Sequence, residues 1–201
     1  MFSSICLLRA ALAAISVASA FLLAGCAAEK PDPAVVGGQV LAMGKAGNWA
    51  AAMPLAKQLV LAYPEAPGAH YLLGKTYLHS ASPHLVHSEG EFRTALAMLQ
   101  RGGTLVVPWA DAEAEEPLEL VVRRDLALVS FRWIREAMRM NFPAAAIRER
   151  LVEAKSQVDA ALKLSPGDGF LTEMRTTIDE YLAGPFKDIP PPEPPAVTPA
   201  A

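Results

Sequence analysis

Apolar residues three and four apart, cut at intervals by glycine and proline, constrain this chain more than any other feature. Between a short proline-containing stretch near residue 33 and a proline run near residue 190, Ala, Leu, Val, Glu, Arg and Lys dominate. These residues favour helix, and the apolar spacing places them on helical faces. Gly47-Asn48 breaks a first helix. A second carries Trp49, Ala52, Leu55, Leu59 and Val60 on one side and stops before Pro64. Pro67-Gly68 opens a third, bearing Tyr71, Leu72, Gly74, Tyr77 and Leu78. Phe92, Ala95, Leu96 and Leu99 mark a fourth, closed by Gly102-Gly103 as a C-cap. Pro117 starts a long fifth helix with Leu118, Val121, Val122, Leu126, Val129, Trp133 and Met138 on one face. Leu120, Leu128 and Phe131 make its opposite side partly apolar, which predicts burial on two sides. Pro143 begins a sixth, with Ile147, Leu151, Ala154, Val158 and Leu162 in register, ended by Ser165-Pro166-Gly167. A last helix runs from about Phe170 to Leu182. The fold class is all-α, with about seven helices.

The ends read differently. Arg9 precedes an apolar run from Ala10 to Leu23, too short to span a bilayer but of the kind that serves as a secretory signal. The run ends in Leu23-Ala24-Gly25-Cys26, which resembles the lipobox of bacterial lipoproteins. That resemblance implies cleavage before Cys26 and a covalent lipid, such as palmitate, on it. Ala27 next to the cysteine matches the pattern of lipoproteins sent to the outer membrane. Cysteine usage agrees: of the two, Cys6 leaves with the leader and Cys26 has no partner for an internal disulfide. The organisation expected is a signal peptide over 1–25, a lipidated extended tether over 26–33, a helical domain over 34–184 and a Pro-rich disordered tail over 185–201. The chain carries 18 basic and 21 acidic residues, a formal net charge of −3. The leader holds one of the basic residues and none of the acidic ones, so the processed chain is slightly more acidic. That argues against nucleic acid and supplies no polybasic membrane patch.

Helix pairs joined by short turns invite a search for a period. Gly47, Trp49, Ala52 and Pro64 are followed by His70, Leu73, Gly74 and Tyr77, a spacing that resembles the tetratricopeptide repeat, a helix–turn–helix unit of about 34 residues. The resemblance implies that Gly74 is small so that two helices can touch. Gly90-Glu91-Phe92, with Ala95, repeats the turn and second-helix start seen at Gly47-Asn48-Trp49 and Ala52. Ala154, Val158, Ala161 and Pro166 look like the second helix of a third unit. Gly74 and Gly90 stand sixteen residues apart, about twice the family interval, so an insertion is expected between them. A non-repeat helical bundle is the competing reading.

Chemistry is sparse. His79, His84 and His87, beside Glu89 and Glu91, fall in the expected inserted loop and are weak candidates for a Zn²⁺ or Cu²⁺ site, their spacing matching no established metal motif. The acidic run Asp111, Glu113, Glu115, Glu116 and Glu119 precedes a helix start, where negative charge complements the helix dipole. No nucleophile elbow, phosphate loop or dinucleotide fingerprint is present, so no catalytic residues and no dissociable cofactor are assigned. The expected function is a lipid-anchored, periplasm-facing adaptor that holds another envelope protein in a helical groove. In outline it is similar to lipoproteins that assist pilus, secretin or polysaccharide-export assembly. His70, Lys75, Arg124, Arg132 and Arg135 are the candidate groove residues, and the alternative is a metal-binding envelope protein using the His79–His87 segment.

Overall fold

Asp32, Asn48 and Asp168 each turn a side-chain oxygen back onto the first free amides of a helix, and these caps set three of the starts in this fold. A computed structural model describes residues 30–110 and 116–186. The leader, Cys26, the acidic residues Asp111, Glu113 and Glu115, and everything from Lys187 onward lie outside the described residues. Helix α1 covers Pro33–Lys45, α2 Trp49–Ala62, α3 Pro67–His79, α4 Leu85–Gln100, α5 Leu118–Arg139, α6 Ala144–Leu164 and α7 Gly169–Ala183. Asp32 accepts from Ala34 N at 2.8 Å, Asn48 from Ala51 N at 3.3 Å and Asp168 from Leu171 N at 3.0 Å.

Three helices end in one motif. At Gly47, Gly102 and Asn141 the backbone turns left-handed, with φ of 72°, 77° and 53°. Each N–H bonds the carbonyl three residues back, and the next N–H bonds the one five back: Asn48 to Met43, Gly103 to Met98 and Phe142 to Ala137. This is the Schellman geometry, which glycine adopts freely and asparagine tolerates best among the others.

Each helix packs on its neighbours in sequence, most closely within the pairs α1–α2, α3–α4 and α5–α6. The first helices of successive pairs also touch, α1 on α3 and α3 on α5. The result is an all-α stack of helix–turn–helix pairs with α7 as an odd last layer. Two apolar clusters fill it, and α5 belongs to both. Its Leu118, Val121, Val122, Leu126 and Val129 join the cluster made with α1–α4, and its Leu120, Ala127, Ile134 and Ala137 join the one made with α6 and α7. Trp133 and Met138, expected beside Val129, pack on the second cluster instead.

Close approach depends on glycine at four places, one of them Gly68, where a Cβ would run into the Val107 carbonyl. A Cβ on Gly44 would run into the Trp49 indole, and one on Gly74 would lie 2.5 Å from the Phe92 ring. Gly37 lies under the Pro108 ring, where a Cβ would meet it at 2.7 Å. The segment after α4 is therefore packed rather than loose, with Val107 fully buried and Trp109 against the same cluster.

Three expectations need correction. Gly90 is not a turn: it lies exposed inside α4, which begins at Leu85, so the extra residues between Gly74 and Gly90 mostly lengthen a helix. Pro33 belongs to α1 rather than to an extended tether, because at the first helical position its missing N–H leaves no bond unmade. Phe186, counted with the tail, is buried against Tyr181, its N–H bonding Tyr181 O at 3.2 Å.

Two substitutions separate these roles. Gly74→Leu forces the Phe92 ring out of a filled core and is expected to cost about 1–3 kcal/mol, as overpacking does. Gly90→Ala, with nothing within 4 Å of the new Cβ, removes a helix-interior glycine and should stabilise by about 0.5–1 kcal/mol. Chemical-denaturation midpoints should move in opposite directions, and equal shifts would contradict this packing.

Candidate functional site

The helical repeat sets Arg124, Leu128, Phe131 and Arg135 of α5 on one face, at steps of four, three and four residues. Opposite them α7 brings Phe170, Glu173, Met174 and Thr177. Leu128, Phe131 and these α7 residues line a groove of about 230 Å³. Leu128 and Phe131 are half-buried, Met174 is buried, and Phe170 stands 47% exposed. One end of the groove is closed by charge. Arg124 pairs with Glu116 and lies 3.5 Å from Asp168, the same carboxylate that caps α7. Past the other end, α5 and the start of α4 enclose a second hollow of about 630 Å³, lined by Pro83, Leu85, Arg132, Arg135, Glu136 and Arg139.

Of the five candidate groove residues, one remains free. His70 is buried: Nδ1 lies 2.6 Å from Glu91 Oε2 and Nε2 2.9 Å from Pro64 O. Lys75 is turned to Asp125 across the α3–α5 contact, Nζ 3.2 Å from Oδ2. Arg124 is held at the closed end of the groove by its two carboxylates. Arg132 donates to Leu78 O at 2.9 Å, capping the end of α3. Arg135 is exposed and has no ion-pair partner among the described residues. The apolar residues that make the groove were legible only in part. Leu128 and Phe131 showed as a second apolar side of α5, whereas Phe170 and Met174 depend on where α7 docks.

His70 is held by two acceptors, a carboxylate and a carbonyl, and a ring donating to both carries a proton on each nitrogen. Burial is the largest single influence and opposes that charge. Glu91, Pro64 and the nearby Glu65 together outweigh it and raise the imidazole above its ordinary 6.5. Beside it, burial and then Asp125 push the Tyr71 hydroxyl well above its usual range.

On the other side of the stack the second helices are tied by charge. Arg150 of α6 grips Glu89 of α4 with both terminal nitrogens, at 2.5 and 2.8 Å, and lies 5.2 Å from the Trp133 ring centre. Arg93 pairs with Glu89 at 2.8 Å and also with Glu153. Burial pushes the Glu89 carboxyl up, but Arg150 and Arg93 pull it below its ordinary range. Glu119, in the first turn of α5, pairs with Arg123 at 2.7 Å.

The three histidines do not form a loop cluster. His79 closes α3 and stacks on Trp49 at 4.9 Å, His84 stands at the N-cap position of α4 without a side-chain capping bond, and His87 lies in the first turn of α4. His84 and His87 meet ring to edge at 5.8 Å, beside Tyr77. Among the described residues no three His, Cys, Asp or Glu side chains converge in a way that would hold a metal ion. Nor is any described helix long and apolar enough to cross a membrane. No family model, no curated protein and no solved structure matches the chain.

The buried His70 and the partly buried Glu89 predict opposite pH responses. The raised His70 contributes stability that is fully present below about pH 6.5 and is lost as pH rises through its folded value. The depressed Glu89 contributes stability present above its ordinary range, near 4.5, and lost as pH falls through its folded value. Thermal unfolding between pH 3 and 9 should therefore flatten on the alkaline side in His70→Gln and on the acid side in Glu89→Gln. A His70→Gln profile parallel to that of the unaltered chain would show that folding does not raise the imidazole's proton affinity.

Proposed function

We propose that this chain is a lipid-anchored, periplasm-facing adaptor that holds a segment of another envelope protein on the exposed face of its first helices. The observation that carries this reading is the groove between α5 and α7, whose Leu128, Phe131 and half-exposed Phe170 leave apolar surface open beside Arg135, which has no ion pair among the described residues. Stacks of helix pairs use such faces to bind extended or helical segments. The spacing around Trp49, Gly74 and Tyr77, and the Gly74–Phe92 contact, favour kinship with the tetratricopeptide repeat. The Leu23-Ala24-Gly25-Cys26 junction favours processing as an outer-membrane lipoprotein. Assistance to an outer-membrane, pilus or secretin, or polysaccharide-export machine suits an adaptor of this kind.

Two experiments test the parts separately. Cys26→Ser should leave the protein unprocessed or release it from membranes, since acyl chains supply about 0.8 kcal/mol per buried methylene and no described helix is long and apolar enough to cross a membrane. Processed Cys26→Ser protein recovered wholly in the outer-membrane fraction would end the lipoprotein reading. For the adaptor, crosslinked partners should be compared for the whole chain, Phe170→Ser, a chain ending at Phe186, and a variant with His79, His84 and His87 replaced by alanine. Loss with Phe170→Ser alone is expected. Loss only on truncation would move the function to the proline-rich segment, and loss only with the histidine variant, reproduced in the unaltered chain by a chelator, would favour metal binding.

A further inference from the structure

Arg132, Arg135 and Arg139 succeed one another along α5 at steps of three and four residues, so their side chains share one face. Like charges at these spacings destabilise a helix. The surroundings do little to relieve this. Among the described residues Glu136 is the one carboxylate lining the hollow, and it pairs with Arg139. Arg132 spends one nitrogen on Leu78 O, a bond to a neutral carbonyl. Arg135 has neither an acid three or four residues away in α5 nor an ion pair from elsewhere among the described residues. Of the other described arginines, Arg93, Arg123, Arg124, Arg150 and Arg175 each have a carboxylate, and Arg101 and Arg148 have no ion pair but do not stand in such a row. In a chain of net charge −3 this hollow is a local excess of positive charge.

The apolar groove adjoins it. Phe131 precedes Arg135 by four residues and Leu128 by seven, which at 1.5 Å per residue is about 6 and 10 Å along α5. Phe170 forms the far wall. Resting on the adaptor reading, we propose that the groove and hollow form one site, and that its occupant is a polypeptide segment with an acidic side chain for Arg135. An apolar side chain about 6–10 Å away on that segment fills the space between Phe131 and Phe170. A flat bilayer surface cannot enter a recess between helices, and an isolated anion would leave the apolar half uncovered. A peptide with both features covers both. The charge sets approach and register, and the apolar anchor carries more of the affinity.

The test is selection of random dodecapeptides displayed on phage against the full chain purified in mild detergent. The expected result is a consensus pairing Asp or Glu with an aromatic or large aliphatic residue. A synthetic peptide of that consensus should bind at least ten-fold more weakly to Arg135→Glu and to Phe170→Ser. Arg101→Glu, at the opposite end of α4 from the hollow, should bind as the unaltered chain does. Circular dichroism melts keep the result interpretable: Arg135→Glu relieves two like-charge contacts and should melt no lower than the unaltered chain. A consensus without an acid, or one that binds Arg135→Glu equally well, overturns the proposal. So does selection only after residues 187–201 are removed, which makes that segment the occupant, or Arg135-dependent binding to phosphatidylglycerol vesicles with no peptide selected. Partners crosslinked through Phe170 but indifferent to Arg135→Glu would sink this inference while leaving the adaptor reading intact.

Discussion

Where α3 meets α4, glycine lies against an aromatic ring, and most of the molecule hangs on that contact. Gly74 lets the Phe92 ring lie on the α3 backbone, and one turn earlier in α4 the buried Ser88 hydroxyl donates to Gly74 O at 2.9 Å. Side-chain packing and a buried hydrogen bond thus fix the same pair of helices from adjacent turns. Both faces of the stack depend on where this pair sits. From α3 come Lys75 for Asp125 and the Leu78 carbonyl for Arg132, which align α5 on the groove side. From α4 come Glu91 for His70 and Glu89 for Arg150, which align the turn before α3 and the later helix α6. Enlarging Gly74 therefore disturbs more than one interface.

Charge is spent differently on the two sides. Around Glu89 the pairs are partly buried, forked and mutually reinforcing, the arrangement in which ion pairs contribute beyond the marginal worth of exposed ones. That side reads as closed. The groove side uses arginines singly, at a helix end or a groove end, and leaves one unused. Counting arginines on α5 in the sequence could not separate these uses, because the groups they meet lie far along the chain or beside a helix cap: Gln157 and Glu119 for Arg123, Asp168 and Glu116 for Arg124.

Local chemistry was the legible part. The helix breaks at Gly47-Asn48 and Gly102-Gly103, and the two-sided apolar pattern of α5, are written in neighbouring residues, and the helices obey them. Gly90 misled because glycine in an exposed helix is tolerated and leaves the same mark as a turn. His70 misled because a polar residue on an amphipathic helix reads as exposed until the Glu91 partner, twenty-one residues on, is brought beneath it. The burial of Val107 and Pro108 on the glycines of α1 and α3 had no local signal, since irregular segments carry no period. Half of the candidate site has the same origin: Phe170 becomes a wall only after α7 has docked.

The direction of the helices then says where the proposed site faces. Lys75 meets Asp125 and Leu78 meets Arg132, so α3 and α5 run the same way. Arg124 meets Asp168 at the start of α7 while Phe131 faces residues further along it, so α5 and α7 also run together. Helices α1 and α3 are separated by two short turns and share that direction. The start of α1 at Pro33 therefore lies at the end of the stack where α5 begins. Arg135 is seventeen residues into α5 from Leu118, about 26 Å toward the opposite end. Arg135 and Arg139 thus lie toward the end of the stack remote from Pro33.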